Sequence, residues 1–404
     1  MSEPDVTDLL TVQQAIAVLD SVEVSPAVVR VPLGEARGLY LAEDLAADRD
    51  YPPFDKSLMD GYAVRAADVT GAPVALRVVG EIAAGQEAGR GLGVGEAMAI
   101  MTGAPIPPGA DGVVPVEETA RDGERVRIAR AGDPGRFIQR RGADVAGGRV
   151  VLARGARMEA AQIAVAATVG AAVVDVHPRP RAAVLSTGDE LVPVGEAPAG
   201  SRIRNSNGPM LVALLGRLGC AVSDLGIALD RPEAIRAAME TGLRDHDVLF
   251  VSGGMSMGAY DYVPRLLAEM NFDLRITKVR IKPGKPFVFA VREGKYVFGL
   301  PGNPVSGFAC TVRLASRLLA RLAGGRPVEK WIAGRLAQPL GANGPREFYQ
   351  PAELAWSAEG PVVTPLAWKG SADLFTLARA DGLLVRPESE AALPAGATVR
   401  ILEI

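Results

Sequence analysis

The chain has 404 residues, room for two to four domains at roughly 150 residues each. Its 44 basic and 47 acidic side chains give a net charge of −3, so no basic excess points to nucleic acid or an anionic membrane surface as a partner. Two cysteines and two histidines exclude a disulfide framework and a cysteine- or histidine-rich zinc site, so any metal would be a hard cation bound by oxygen, such as Mg²⁺.

The first part of the chain changes from a helical to an extended pattern. Apolar residues at helical spacing, with a Thr–Gln capping box, predict a helix over Thr11–Ser21. Short alternating runs separated by glycine and proline predict a β-rich region from Val28 to Val150. A second helix is predicted over Met158–Gly170, and the prolines of His177–Pro180 predict a linker.

Residues 181–324 alternate between strands and helices, and Asn205–Asn207 are predicted to cap the first helix. This alternation predicts a mostly parallel sheet covered on both faces, with a binding crevice at the carboxyl ends of its strands. About 75 residues of short β runs follow and predict a small barrel or sandwich. The predicted strands of the alternating part are Ala182–Ser186, Ala221–Gly226, Val248–Ser252, Phe287–Val291 and Tyr296–Leu300, and the predicted helices are Asn207–Leu218, Arg231–Leu243, Asp261–Met270 and Val305–Leu322.

The sequence also bears on location. The first residues are acidic and lack the basic segment and apolar run of a signal peptide. No run of about 18 uninterrupted apolar residues occurs, as a membrane-spanning helix requires. We therefore expect a cytoplasmic protein without a membrane partner.

A glycine loop follows one strong predicted strand. In Ser252-Gly253-Gly254-Met255-Ser256, consecutive glycines expose backbone N–H groups, and the serine hydroxyls add donors. A loop of this kind between a parallel strand and a helix favours anion binding over the alternative, an ordinary tight turn.

Three carboxylates follow predicted strand ends. Glu190 ends the loop Ser186-Thr187-Gly188-Asp189-Glu190, Asp230 follows a neighbouring strand, and Asp261 is close by. A buried crevice would gather three carboxylates only if a cation neutralised them, so they are candidates to hold Mg²⁺ on a pyrophosphate. The alternative, solvated loop acids or helix N-caps, stays open from the residues alone.

A basic segment lies further along the chain. Lys278, Arg280 and Lys282 alternate, so they share one face of an extended strand, and Lys285 follows a rigid Pro-Gly turn. A focused positive patch of this kind suits an oxyanion or phosphate. The alternative is a charged strand edge that discourages aggregation.

Local geometry is sufficient to explain other candidates. Asp60, Thr102 and Asp144 lie in the β-rich region close to glycines, where turn structure alone accounts for them. The histidines are expected at the surface or at a hinge and the cysteines in the core; these residues are His177, His246, Cys220 and Cys310.

Five longer segments are more specific. They are Ser57-Leu58-Met59-Asp60-Gly61-Tyr62-Ala63, Met101-Thr102-Gly103-Ala104-Pro105-Ile106-Pro107, Ser186-Thr187-Gly188-Asp189-Glu190-Leu191, Lys282-Pro283-Gly284-Lys285-Pro286 and Gly299-Leu300-Pro301-Gly302-Asn303-Pro304-Val305-Ser306. In this order they resemble the MoeA/gephyrin-E family of molybdopterin molybdenumtransferases, and the resemblance runs from about residue 52 to the C-terminus.

The resemblance implies a multidomain fold of α/β and β parts. A linker domain of helix plus strands would comprise residues 1–50 and 145–178, with a β-rich domain, residues 51–144, inserted in it. A molybdopterin-binding three-layer α/β domain, residues 179–327, and a C-terminal β-barrel domain, residues 328–404, would follow. The resemblance also implies an elongated homodimer, with an active site between the α/β and barrel domains of one subunit and the β domain of the other.

The implied reaction is Mg²⁺-dependent insertion of molybdate into adenylylated molybdopterin, with release of AMP. Molybdopterin adenylyltransferase is the implied donor partner. The implied metal ligands are Glu190, Asp230 and Asp261, and the implied catalytic set adds Asp60, Thr102, Asp144, Lys278 and Lys282. The implied substrate-binding residues are Ser186, Thr187, Gly188, Ser252, Gly253, Gly254, Ser256, Lys285, Pro286, Pro301, Asn303, Pro304, Arg346 and Ser371.

Three alternatives remain open. In the barrel, Thr376 competes with Ser371 for a contact to molybdate. Gephyrin-type members of the family act as scaffolds, so a non-catalytic scaffold or pterin carrier is the alternative function. Tungstate has the charge of molybdate and nearly its size, so no residue separates the two oxyanions.

Overall fold

The computed structural model describes residues 9–255 and 262–404. These residues form two compact units, and the four domain boundaries given above stay a prediction. Unit 1 contains the described residues up to Val31, Gly38–Ala42 and Asp175–Ile404, and unit 2 contains Pro32–Arg37 and Glu43–Val174.

Helices occur in both units, and within the described ranges none is long and apolar enough to cross a membrane. In chain order they are α1 Val12–Ser21, α2 Ala66–Val69, α3 Ala160–Thr168, α4 Asn207–Arg217, α5 Pro232–Asp245, α6 Tyr262–Glu269, α7 Pro304–Cys310, α8 Ser316–Leu322 and α9 Leu374–Leu377. Short 3₁₀ turns lie at Leu33–Glu35 and Val116–Glu118, and a π-helical turn lies at Thr311–Ala315.

The strands are mostly short, as the frequent glycines and prolines predict. In chain order they are β1 Val29–Pro32, β2 Tyr40–Leu41, β3 Leu45–Ala46, β4 Lys56–Ser57, β5 Gly61–Val64, β6 Val74–Ile82, β7 Glu96–Ile100, β8 Gly112–Pro115, β9 Thr119–Asp122, β10 Arg125–Ile128, β11 Ile138–Gln139, β12 Val150–Leu152, β13 Val173–His177, β14 Arg181–Thr187, β15 Leu191–Val192, β16 Ile203–Arg204, β17 Ala221–Ala228, β18 Val248–Ser252, β19 Asp273–Ile276, β20 Ile281–Lys282, β21 Val288–Arg292, β22 Lys295–Leu300, β23 Trp331–Leu336, β24 Glu347–Ser357, β25 Gly360–Pro365, β26 Gly382–Arg386 and β27 Thr398–Glu403.

The first helix begins as predicted. The Thr11 hydroxyl accepts the N–H of Gln14 at 3.1 Å, and the Gln14 side chain accepts the N–H of Thr11 at 2.8 Å. This reciprocal capping box satisfies two backbone donors that a helix N-terminus would otherwise leave unpaired.

Unit 2 is β-rich, as predicted. Its main sheet has the strand order β8-β5-β7-β6-β10-β9, and apolar clusters cover both of its faces. Gly61 begins β5, and a Cβ atom there would overlap the carbonyl oxygen of Val114 in β8. Glycine therefore lets two strands approach closely immediately after Asp60.

The α/β part of unit 1 is built on a six-stranded sheet of order β17-β14-β18-β22-β21-β19. The first four of these strands are parallel; β21 pairs antiparallel with β22, and β19 pairs antiparallel with β21. Alternate residues of β14 point to opposite layers, since Val184 packs with Leu211 of α4 and Leu185 packs with Ile235 of α5. The predicted three-layer α/β architecture is confirmed.

The helix predicted over Val305–Leu322 is interrupted. The π-helical turn Thr311–Ala315 separates α7 from α8, a deviation that residue periodicity does not reveal. Arg313 lies in this turn with 3% of its side chain exposed, and its Nε donates to the Tyr349 hydroxyl at 2.6 Å. Arg313 also forms an ion pair with Glu329, so the turn places a buried cation against the barrel.

The basic segment is not one continuous strand. Only Ile281–Lys282 is a strand, and it pairs in parallel with β24. The predicted alternation nevertheless holds, because Val279 and Ile281 are fully buried while Lys282 is exposed.

The C-terminal strands close into a five-stranded barrel of order β24-β25-β23-β27-β26, with β26 pairing back to β24. Its core contains Leu336, Val363, Leu384 and Ile401, all essentially buried. The barrel, one of the two architectures predicted for this region, is confirmed.

The aromatic core of the α/β sheet tests this packing. Phe298 stacks between Phe250 and Phe289, with ring centroids 5.0 Å apart in each pair. We expect Phe298→Ala to lower the free energy of unfolding by about 3–5 kcal/mol, because it leaves a cavity in a close-packed layer. In chemical denaturation, Phe375→Ala, at an 88% exposed side chain, is expected to change it by less than about 0.5 kcal/mol. Equal effects of the two substitutions would contradict the packing.

Candidate active site

The carboxyl ends of four parallel strands meet at one edge of the sheet. Strand pairing aligns Ser186 with Ser252, Ser252 with Leu300, and Thr187 with Ala228. The loops that leave β14, β17, β18 and β22 are therefore neighbours, as expected for a crevice in a parallel sheet.

The glycine loop needs its glycines. Gly253 has φ 99° and Gly254 has φ 64°, which are left-handed conformations that other residues rarely adopt. A Cβ atom on Gly253 would overlap the Thr187 carbonyl oxygen and lie 2.8 Å from Thr187 Oγ1. The predicted site residues Ser256 and Asp261 lie outside the described residues.

The hydroxyls of the loop after β14 have different surroundings. Ser186 donates to Asn205 Oδ1 at 3.1 Å, and the same oxygen accepts the N–H of Gly208 at 3.0 Å at the start of α4. Thr187 Oγ1 is buried, and none of the described residues is its hydrogen-bond partner. Ser186 therefore supports the helix N-terminus, whereas Thr187 has a hydroxyl that no described residue uses.

The acidic side chains at this edge interact. Asp189 accepts the N–H of Asp230 at 3.0 Å. Burial, and then the neighbouring charges of Asp189 and Glu190, raise the pKa of Asp230. Its Oδ1 is buried and has no hydrogen-bond partner in the described part of the chain. Within the described ranges no group of three or more His, Cys, Asp or Glu residues is arranged to hold a metal, so the predicted ligand set stays a prediction.

The basic side of the site includes aromatic residues that the sequence analysis missed. Lys282 Nζ lies 4.5 Å from the ring centroid of Phe348, which stacks on Trp368 at 5.7 Å. The face of the Phe348 ring stabilises the ammonium group of Lys282, whose side chain is exposed. Lys278 lines a cavity of about 290 Å³ with Leu10 and other residues.

Other predicted contacts lie on backbone turns. The Lys285 carbonyl accepts the N–H of Val279 at 3.0 Å, and Pro286 continues this turn into the α/β sheet. Pro301 is buried, Asn303 precedes α7, and Pro304 occupies the first turn of that helix. Proline suits a helix first turn because no N–H is required there.

The barrel reaches the same loop. The Ser371 carbonyl accepts the N–H of Val305 at 3.0 Å, which places Ser371 beside the turn before α7. Thr376 instead donates its hydroxyl to Asp373 at 2.7 Å, as part of the cap of α9. The half-buried Arg346 side chain has no hydrogen-bond or ion-pair partner among the described residues.

In unit 2, two predicted residues contact each other. Asp60 Oδ1 accepts the N–H of Thr102 at 2.6 Å and its hydroxyl at 2.8 Å. These hydrogen bonds, the backbone one first, lower the pKa of Asp60. Asp144 accepts Gln139 Nε2 at 2.6 Å, so it is held within its own turn.

The histidines and cysteines are not among the described residues that form the site at the carboxyl ends of the strands. The surface expectation for His177 is wrong, because His177 is 3% exposed and its Nδ1 lies 2.8 Å from the Ala27 carbonyl oxygen, to which it must donate. Cys220 and Cys310 are buried, as predicted, and burial raises the pKa of Cys220 to about 12. Neither thiol is a nucleophile at neutral pH.

The fold and the site define a class of protein. It combines a β-rich unit with an α/β sheet and a C-terminal barrel, and its glycine loop, carboxylates and hydroxyls meet at one sheet edge. Three family models match most of the chain: the MoeA N-terminal region (domains I and II) at residues 10–170, a probable molybdopterin binding domain at 183–321, and the MoeA C-terminal region (domain IV) at 333–404.

Relatives of the same family align with this chain over nearly its whole length. A protein of Staphylococcus aureus (strain N315) named molybdopterin molybdenumtransferase is 32% identical over 398 residues, which cover 97% of this chain and 95% of that protein. A protein of the same name from Staphylococcus epidermidis (strain ATCC 12228 / FDA PCI 1200) is 31% identical over 400 residues, 97% of this chain and 95% of that protein.

Solved structures agree as well. Two crystal structures of the molybdopterin biosynthesis MoeA protein from Pyrococcus horikoshii superpose with TM-scores of 0.81 and 0.85, at 33% and 28% identity. Each alignment covers 98% of this chain and at least 99% of the other. The chain belongs to the MoeA family.

The glycine loop gives a test of the site. We expect Gly253→Ala to lower the free energy of unfolding by more than about 1 kcal/mol and to weaken ligand binding, because both the conformation and the space exclude a side chain. Gly216→Ala in α4 is the matched control, since apart from its chain neighbours and its own helix backbone no atom of the described residues lies within 4 Å of the added Cβ. The control is expected to be neutral or to stabilise by up to about 1 kcal/mol in the same denaturation experiment. A Gly253→Ala protein as stable as the control would contradict the loop geometry.

Proposed function

We propose that this chain is a molybdopterin molybdenumtransferase of molybdenum cofactor biosynthesis, which inserts molybdate into adenylylated molybdopterin and releases AMP. The observation that carries the proposal is the match to transferases of that name over 97% of the chain. The same name favours an enzyme over a scaffold or pterin carrier. We place this enzyme in the cytoplasm.

Binding and positioning account for most of the proposed catalysis. The glycine loop and the hydroxyls of Thr187 and Ser252 would bind the phosphates or the pterin, while Lys282 and Lys285 would receive the oxyanion. Arg346 and Ser371 would contribute from the barrel; Ser371 is preferred over Thr376, whose hydroxyl donates to Asp373. Holding both reactants in one desolvated crevice lowers the entropic part of the barrier.

The acidic side chains suit a hard divalent cation. Among the described residues, buried Asp230 Oδ1 has no partner, and burial together with the charges of Asp189 and Glu190 raises the pKa of Asp230. Carboxylate oxygens are the ligands that Mg²⁺ prefers, and a cation here would remove the repulsion. We propose that Glu190, Asp230 and Asp261 bind Mg²⁺, which when bound supplies neutralisation of the pyrophosphate charge.

We further propose a homodimer with shared active sites. In this arrangement Asp60, Thr102 and Asp144 of unit 2 act on the substrate that is bound by unit 1 of the other subunit. The support is the family relationship together with the Asp60–Thr102 pair, in which the N–H and the hydroxyl of Thr102 stabilise the ionised carboxylate. Molybdopterin adenylyltransferase is the proposed donor of the adenylylated substrate.

AMP release from adenylylated molybdopterin in the presence of Mg²⁺ tests the activity. The wild type is expected to release AMP only when molybdate is added, and Glu190→Ala to lose at least about 100-fold of that rate, since an uncompensated pyrophosphate charge remains. Glu196→Ala, at an exposed loop glutamate nearby, is the matched control and should retain the rate. Tight pterin binding without AMP release in the wild type would favour the carrier function instead.

Subunit mixing tests the shared site. Co-expressed Asp60→Ala and Glu190→Ala chains, each inactive alone, are expected to recover about a quarter of wild-type activity, because half of a random mixture is heterodimer with one intact site. The mixed dimers can be isolated with two different affinity tags and assayed for AMP release. Recovery of no activity in isolated heterodimers would mean that both residues act within one subunit.

A further inference from the structure

Asn207, the first residue of α4, joins two loops of the site. Its Nδ2 donates to the Ser252 hydroxyl oxygen at 2.8 Å and to the Gly302 carbonyl oxygen at 2.7 Å. Ser252 ends β18, and Gly302 follows β22, its neighbour in the sheet. One amide group therefore links the loops of two adjacent strands, whereas the sequence predicted only a helix cap for Asn207.

The orientation of this amide is determined by its neighbours. A carbonyl oxygen can only accept, so Gly302 must face Nδ2 and not Oδ1 of Asn207. Oδ1 of Asn207 is then buried and has no partner within residues 9–255 and 262–404, which costs free energy. The protein tolerates this cost while both amide hydrogens are committed to the two loops.

This arrangement leaves the Ser252 hydroxyl hydrogen uncommitted. Ser252 Oγ accepts from Asn207, so its own hydrogen must point elsewhere, and the described residues offer it no acceptor. Ser252 is 3% exposed, and the equally buried Thr187, whose hydroxyl lies beside Gly253 and Gly254, also lacks a partner among the residues that the structure describes. Two buried hydroxyls at the glycine loop thus have a donor to offer.

We infer that Asn207 is a positioning residue that orients the Ser252 hydroxyl as a hydrogen-bond donor to the substrate. The group bound there is an acceptor, either a phosphate oxygen or a pterin carbonyl oxygen. The inference rests on the proposed function and adds to it a residue that touches no reacting atom itself. It requires that the effect of Asn207 passes through Ser252.

A double-mutant cycle measures that dependence. We expect Ser252→Ala and Asn207→Ala each to weaken binding of adenylylated molybdopterin about tenfold, the usual size for a hydrogen bond to a charged group. The double variant is expected to bind about tenfold more weakly than the wild type, not about 100-fold, because both changes remove the same contact. Calorimetric titration of the purified full chain gives the affinities.

Asn205→Ala is the matched control. Asn205 also supports the start of α4, through the Gly208 N–H and the Ser186 hydroxyl, but makes no hydrogen bond to Ser252. In the double variant, the fold-losses of affinity caused by Asn205→Ala and Ser252→Ala are expected to multiply, as they do for independent sites. If Asn207 only stabilised the helix, the fold-losses of affinity from Asn207→Ala and Ser252→Ala would multiply in the same way. That result would overturn the inference.

Two ligands distinguish the sources of the acceptor. AMP has a phosphate and no pterin, and a phosphate-free pterin has only the carbonyl. We expect the non-additive loss with AMP, since glycine loops of this kind bind phosphate. The same loss with the phosphate-free pterin would assign the contact to the carbonyl, and additive or absent losses with both ligands would overturn the inference.

If the Asn207→Ala protein does not fold, the same binding measurement is made with the isosteric variant Asn207→Asp. Its carboxylate cannot donate to Gly302 and would accept the Ser252 hydrogen, so binding should weaken at least about tenfold; wild-type affinity would overturn the inference. Suppose that the wild type releases AMP in a molybdate-dependent way, but the binding losses of Ser252→Ala and Asn207→Ala are additive in free energy. This result would reject the inference and keep the proposed function. Absence of that release would reject the function, while the binding cycle would still report on Asn207.

Discussion

The parallel pairing of β14, β18 and β22 is the constraint on which the site depends. Their register places Ser186, Ser252 and Leu300 side by side, so three chain segments leave the sheet at one edge. Parallel strands that are buried on both faces cannot slip without moving apolar residues to the wrong layer. The positions of the loops are therefore determined by the core, including the Phe250–Phe298 stack, and not by the loops themselves.

The strand order also separates charge along this edge. Acidic residues follow β17 and β14, the glycine loop follows β18, and the turn beside the barrel follows β22. Lys282 lies on the barrel side, next to Phe348. This order is compatible with the proposed reaction, in which the pyrophosphate would lie beside the acidic residues and molybdate beside the lysines.

Several elements were predictable because their signals are local. The capping box of α1 depends on Thr11 and Gln14, which are three residues apart, and the strands of the α/β part depend on short apolar runs. The π-helical turn in the last long helix of this part was not predictable, since residues 304–322 are all buried or half-buried and no exposed polar face records the shift that an inserted residue causes. His177 was expected at the surface or at a hinge, and the surface alternative is wrong because its ring is buried by contacts from distant parts of the chain.

By itself, the sequence determined the order of strands and helices, the glycine and proline turns and the family, because these depend on residue types at close spacing. Only the tertiary structure decided which polar atoms lack partners and which residues meet. Asp60 and Thr102 are 42 positions apart, and Asn207 and Gly302 are 95 positions apart, yet each pair is hydrogen-bonded. Such contacts follow from strand register and layer packing, which bring together residues that no local pattern connects.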